Sequence, residues 1–365
     1  MNSTHPYFVK KVIINSLVGN RNIEWELNDD VNVLVGANGS GKSTLIKLIK
    51  LVLTGPHRFS EEDLLPVKRK FASIKVELNN GLHGSLNCES DINSQKKLLK
   101  ILAELASDKE FLEKIANESK NYSRLKENLD NLNEALSEVK SPKNFTDSIF
   151  YGGANFIDDN EKNLLESNVN IELISTFDML LLSKEEFDEM SGKSYSQLDF
   201  LIDKEISYLT QNLLALNKQA SDEYRKHKKN KSLESILRSK EDRYNRFIKE
   251  INKLFNPNKK DFLLDKETGK FVCKYNGNKI DISEFSSGEK QMVMILLKVL
   301  NSGNKPSILL MDEPEISLHM NWQENLISTI KKINSNCQII IVSHSPAVVM
   351  KGWLSRLVDI KDITV

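Results

Sequence analysis

The chain has 365 residues, 39% of them hydrophobic and 28% charged, with 51 Lys and Arg balanced by 51 Asp and Glu. That length supports a substantial buried core and about two domains, and no apolar run nears the roughly 18 residues of a membrane span, so a membrane-embedded helix bundle is excluded. Zero net charge excludes a surface that is basic throughout, although local patches can still meet phosphates. Met1 to Lys11 carries no apolar h-region or cleavage pattern, so a cytoplasmic protein with no membrane partner is expected. Cys88, Cys273 and Cys337 are scattered and lack metal-ligand spacing, which reads as three reduced structural thiols.

In chain order, Phe8 to Leu17 and Val31 to Val35 are short apolar or alternating runs that predict strands. The second leads into a glycine-rich turn and an apolar helix from Lys42 to about Leu53. Phe71 to Leu78 and Leu82 to Cys88 flank Asn79-Asn80-Gly81 and predict a hairpin. From about Ser94 the composition shifts to Leu, Lys, Glu, Asn and Ser, and Tyr122, Leu125, Leu129, Leu132, Leu136 and Val139 form a heptad seam. After a loop with Pro142, Gly152 and Gly153, a strand is expected at Val169 to Ile174.

A second helical tract presents Ile202, Ile206, Leu209, Leu213 and Leu216, then Leu237, Tyr244, Phe247, Ile251 and Leu254. It predicts two antiparallel helices of about 25 residues joined by the basic run Arg225 to Lys231. These stripes read either as a helical layer on the core or as a protruding coiled coil. Beyond Pro257 the pattern alternates again: a strand at Lys270 to Tyr275, a helix from Glu289 to Leu300, and an apolar run Ile308 to Met311. A helix from about Met320 to Ile333 and an apolar run Gln338 to Val342 follow. The expected division is one composite α/β domain built from residues 1–93 and 257–365. Helical insertions occupy 94–256, with a coiled-coil hairpin at about 195–256 and one strand of the α/β domain near 169–178.

Gly36-Ala37-Asn38-Gly39-Ser40-Gly41-Lys42-Ser43-Thr44 fits G-x-x-x-x-G-K-[ST] between a strand and a helix. Glycines let successive backbone N–H groups wrap phosphates, and the helix N-terminus adds partial positive charge. Lys42 is placed to reach the β/γ-phosphates, and the Ser43 hydroxyl to ligate Mg²⁺. Ile308 to Met311 continues into Asp312-Glu313-Pro314, an apolar strand ending in two carboxylates at the edge where α/β ligands bind. Asp312 suits a partner of Mg²⁺, and Glu313 suits a base that polarises a water. Phe285-Ser286-Ser287-Gly288-Glu289 opens a helix and alone would be an ordinary N-cap. Glu315-Ile316-Ser317-Leu318-His319 and Ser343-His344-Ser345-Pro346 complete the set.

In this order the motifs resemble an ABC-type ATPase head of the RecF, SMC and OLD-nuclease branch, which includes anti-phage ATPases such as those of PARIS and Septu. The resemblance implies an α/β fold with a mixed sheet flanked by helices, ATP and Mg²⁺ as cofactors, and ATP hydrolysis. It also implies head-to-head dimers in which Ser286 and Gly288 meet the nucleotide on the partner's P-loop. Ser317 would lie in the segment that crosses the interface, and His344 would contact the γ-phosphate in cis. Defence or DNA repair with an effector nuclease in trans is the implied setting, because only 19 residues follow Pro346. The resemblance also implies a Gln that ends a lobe strand and touches Mg²⁺; it is not placed, and Thr176 to Asp178 is the region where it is sought. Arg225 to Lys231 and Lys68 to Lys70 read as solvated turns, as DNA or RNA phosphate contacts, or as docking sites for an acidic partner. A scaffold or sensor with little turnover, and a transporter nucleotide-binding subunit, are the competing classes.

Overall fold

The computed structural model describes residues 7–19, 21–54, 67, 70–89, 149–151, 154–155, 169–175, 196–225, 231–265, 268–303 and 305–365. The heptad seam at 122–139, the Thr176 to Asp178 segment, Lys68, Arg69 and the basic turn Lys226 to Asn230 lie outside them.

Five strands run parallel in the order β14 (Leu357–Asp359), β3 (Val31–Val35), β13 (Cys337–Val342), β12 (Ser307–Asp312), β8 (Asn170–Ser175). β12 and β13 are buried at every position, which is why they read as unbroken apolar runs. Their side chains alternate with the strand period of two. Ile308, Leu310, Ile340 and Val342 join α1 (Lys42–Thr54) in one core cluster. Leu309, Met311, Ile339 and Ile341 join α4 (Ser287–Asn301) and α5 (Met320–Ile333) in the other. Each such side chain contributes about 1.5–3 kcal/mol when fully buried, so both faces of the sheet are held.

A second, antiparallel sheet orders β2 (Arg21–Glu26), β1 (Val9–Leu17), β4 (Ser73–Leu78), β5 (His83–Glu89) and β6 (Ile149–Tyr151), with β7 (Ala154–Asn155) also paired to β5. The expected mixed sheet is thus divided into a parallel and an antiparallel one. β6 and β7, of three and two residues, are too short to give a periodic signal, and they bring 149–151 and 154–155 from the expected helical insertion into this sheet. Gln338 bridges the two sheets. Its amide donates to Val9 O at 2.9 Å and Asn28 O at 2.8 Å and accepts from Val9 N at 2.8 Å, which satisfies a fully buried polar side chain.

The helical tract forms α2 (Gln197–Arg225) and α3 (Lys231–Phe255). Ile202, Leu209, Leu213, Tyr244, Phe247, Ile251 and Leu254 are buried in the same cluster as α4 and α5. At these positions the stripes therefore cover the core as a layer. A small sheet of β9 (Lys260–Leu264), β10 (Phe271–Tyr275) and β11 (Asn278–Ile280) caps the layer, with Phe262 stacked on Phe271 and Phe255 and Phe285 edge-on to Phe262. Sequence reading gave only β10. The β10–β11 turn is Asn276-Gly277, both at positive φ, the two-residue geometry that matches hairpin twist. Cys273 and Cys337 are free and buried, and burial pushes their thiols up to about 11 and about 12.

Candidate functional site

Parallel strands place all their C-terminal ends on one edge, and β13 lies between β3 and β12. The turn after β3, the acidic pair after β12 and the Ser343-His344 pair after β13 therefore converge there. Between β3 and α1, Gly41 adopts φ +96°, and a Cβ there would stand 3.1 Å from the Leu17 side chain; both facts favour glycine. Arg21 Nη1 donates to Ser40 O at 3.0 Å and pins the turn to β2. Lys42 is buried, and its ammonium donates to Gly36 O at 2.9 Å and Ala37 O at 3.1 Å. Burial pulls it below the usual lysine range, against the opposing pull of Glu313 and Asp312.

Ser43, the first side chain after that lysine, donates its hydroxyl to Asp312 Oδ1 at 2.8 Å, across 269 residues of sequence. Glu313 leaves β12 in the left-handed region at φ +49°, with its N–H on Val342 O at 2.9 Å. Its carboxylate lies 2.9 Å from His344 Nε2. A left-handed non-glycine costs energy that the surroundings must repay, and here the turn brings the carboxylate to the imidazole.

Glu315 supports this pair from behind. Its side chain is 5% exposed, and Oε1 accepts from Ser343 Oγ at 2.5 Å, His344 N at 2.9 Å and Ser345 N at 3.2 Å. Gln323 on α5 donates to Leu318 O at 2.9 Å and Glu315 O at 3.3 Å, and accepts from Ser345 Oγ at 2.9 Å. The loop after β12 and the loop after β13 are thereby stitched together.

The Ser286 motif caps α4: its hydroxyl accepts from Glu289 N while the Glu289 side chain accepts from Ser286 N, a capping box. Glu289 pairs with Lys260 at 2.6 Å, and Lys290 with Asp199 at 2.8 Å. Gly288 packs so closely on the loop after β12 that a Cβ would fall 2.0 Å from Ser317 O. Ser317 itself is left-handed, at φ +69°.

A family model described as "AAA domain, putative AbiEii toxin, Type IV TA system" matches residues 31–350. The chain belongs to this AAA family. The family is one of P-loop ATPases, in agreement with the resemblance carried by the motifs. The chain is similar to the "Retron Vc95 probable ATPase" of Vibrio cholerae serotype O1 biovar El Tor, 23% identical over 87% of this chain and 66% of the relative. It is also similar to the "Zinc import ATP-binding protein ZnuC" of Wigglesworthia glossinidia brevipalpis, 35% identical over 27% of this chain and 43% of that protein. The chain spans no more than about two thirds of the length of these curated relatives. Among solved structures, a crystal structure titled as an SmcHead bound to the C-winged helix domain of ScpA aligns with a TM-score of 0.49 and 14% identity, covering 96% of this chain and 93% of that one.

In this AAA domain a cleft of about 610 Å³ is lined by Asn38, Gly39, Ser40, Gly41, Lys42, Ser43 and Thr44 with Glu313 and His344. Gly36 and Ala37 meet Lys42 through their carbonyls, and Asp312 enters through Ser43. Ser286, Gly288 and Ser317 are not among the lining residues; Gly288 and Ser317 instead contact each other. Sequence reasoning assigned no role to Glu315 or Gln323, whose partners lie across a loop or a helix. It also missed Lys70 and Ile316 as lining residues, since the sequence shows Lys70 only as part of a basic patch. No helix among the described residues is long and apolar enough to cross a membrane.

Proposed function

We propose that the chain is an ATP-binding and ATP-hydrolysing switch that dimerises head to head on ATP. The observation that carries this reading is the meeting of Lys42, the Ser43–Asp312 pair and the Glu313–His344 pair on one sheet edge. A hydroxyl and a carboxylate 2.8 Å apart are hard oxygen donors that suit Mg²⁺ held with nucleotide phosphates. Bound there, the ion would neutralise phosphate charge. The backbone N–H groups of Gly39 to Ser43 and the Lys42 ammonium would cradle the phosphates, for which Lys42 gives up its bonds to Gly36 O and Ala37 O. Glu313 would accept the proton of the attacking water, with His344 orienting its carboxylate.

Ser286 and Gly288, which do not line the chain's own cleft, suit a role toward the nucleotide of a second protomer. The similarity to a retron ATPase favours anti-phage defence over DNA repair, with a nuclease effector in trans and a cytoplasmic setting. Domain limits near 93 and 257 follow the same reading, with the strand 170–175 part of the ATPase core as expected and residues 149–151 and 154–155 added to it.

The test is Glu313→Gln, in which the amide keeps shape but cannot take the proton. ATP affinity should persist, turnover should fall by about 100-fold or more, and sedimentation with ATP should reveal a longer-lived dimer. Mixing it with Ser286→Arg probes the shared site. Full hydrolysis by Ser286→Arg alone would mean that each chain is self-sufficient, and wild-type turnover by Glu313→Gln would remove Glu313 from catalysis.

A further inference from the structure

A cavity larger than the P-loop cleft, about 760 Å³, opens between α2, α3, the start of β8 and the end of α4. β8 and β12 are parallel, so lining residues Asn170 and Lys305, which precede or begin those strands, lie at the sheet edge opposite Asp312. One six-residue strand separates the two edges, roughly 17 Å.

The charges in this cavity are unequally partnered. Glu172 and Glu205 both bind Lys298, at 3.3 and 3.1 Å. Arg243 is only 8% exposed, its Nε has no hydrogen-bond partner, and no carboxylate among the described residues pairs with it. Its guanidinium lies over the face of the Tyr244 ring, 5.3 Å from the ring centroid. Gly303, at φ +79°, leaves room for this guanidinium, since a Cβ there would stand 3.1 Å from Nη1. Burying a cation without a counter-charge disfavours folding, so the arrangement is explained most directly by an anion that completes it. A guanidinium presents a planar fork that fits phosphate oxygens in pairs, and the volume falls in the range of small-molecule sites.

We propose that this cavity is a second binding site, for a small phosphorylated ligand, with the Arg243 guanidinium as its anchor and the exposed Lys204 and Lys305 at its rim. The inference does not depend on the P-loop reading, because Arg243 lies on the other edge of the sheet.

Melting of the full chain, titrated with inorganic phosphate and with AMP at matched ionic strength, tests it in wild type, Lys42→Ala and Arg243→Met. A ligand at ten times its dissociation constant should raise the folding equilibrium constant about 11-fold, in wild type and in Lys42→Ala alike. Arg243→Met should lose this response and, in phosphate-free buffer, melt at or above wild type, because a buried unpaired charge is gone. A stronger response to AMP than to phosphate assigns a nucleotide, and an equal one assigns the bare phosphoryl group. A Lys204→Glu, Lys305→Glu double variant, measured against its own phosphate-free melting point, should weaken binding at least about 10-fold. The proposal is overturned if the response survives in Arg243→Met, if that variant melts well below wild type without phosphate, or if the rim variant binds normally. A response to 5′-phosphorylated oligonucleotides with none to either small ligand would also overturn it.

Discussion

Truncating Glu315 to alanine removes the acceptor shared by Ser343 Oγ, His344 N and Ser345 N. Two of these donors have other partners: Ser343 Oγ reaches Ser345 O at 3.1 Å, and Ser345 N reaches Ser343 Oγ at 2.9 Å. The His344 N–H is left without an acceptor, which costs about 1–3 kcal/mol. The space vacated by the side chain adds roughly 1 kcal/mol, for a total near 2–4 kcal/mol of stability. Glu315→Gln should lose much less, about 1 kcal/mol or under, because its oxygen can occupy the Oε1 position while its NH₂ takes the place of Oε2, which has no partner. If the His344 loop is held for catalysis, the 1–3 kcal/mol term reappears in the barrier as about a 5- to 150-fold fall in kcat. KM for ATP should stay near wild type. Single-turnover ATP hydrolysis, run well below the melting point of each variant, separates the two effects. A Glu315→Ala chain that melts lower but hydrolyses at the wild-type rate would refute the positioning role.

Lys42→Ala should abolish nucleotide binding while the chain still melts cooperatively, as nucleotide titration and calorimetry would check; near-normal ATP affinity would exclude the cleft. Gly288→Ala should destabilise by about 1–3 kcal/mol or shift the loop at Ser317, since its methyl group meets backbone oxygen rather than a flexible side chain; an unchanged melting point would mean that the contact is loose. For the acid response, burial pushes the Asp199 and Glu289 carboxyls up, but Lys290 with Ser196, and Lys260 with Ser286, outweigh it and hold both below the ordinary range. A depressed carboxylate stabilises the fold above its unfolded value, near 4, and that contribution is lost as pH falls through the folded value. Urea unfolding of Glu289→Gln should therefore differ from wild type at pH 6 and converge with it toward pH 2.

The P-loop edge of the parallel sheet was legible because its signals are local. A glycine-rich turn needs particular residues within nine positions, and a strand buried on both faces must be apolar throughout, so β3, α1, β12 and β13 could be read directly. What escaped depends on distance. Glu315 looks like any acidic turn residue until β13 brings Ser343 and His344 to it, and Arg243 is one more cation on a charged helix until Gly303 and Tyr244 enclose it. β6 and β7 carry too few residues for a period. β9 and β11 were missed because they are short, five and three residues, and β11 buries none of its side chains, although Asn276-Gly277 was available as a hairpin signal. The choice between a helical layer and a coiled coil for α2 and α3 was also beyond the sequence, because the same apolar stripe serves both.

The connection between the α4 cap and the cleft is built from backbone contact and amide bonds rather than from a flexible hinge. Gly288 allows α4 to touch the Ser317 carbonyl, Leu318 O is held by Gln323, and Gln323 also holds the Ser345 hydroxyl one residue beyond His344. None of these steps has slack: the first tolerates no side chain, and the others are hydrogen bonds of 2.9 Å. A partner surface that moved the start of α4 would therefore have to move Ser317 with it, and Gln323 would carry that displacement to the loop that sets the His344–Glu313 distance. Tight packing makes such a unit respond as a whole; on the proposed head-to-head reading it would make hydrolysis depend on assembly, while the P-loop, anchored separately by Arg21 on β2, keeps its shape.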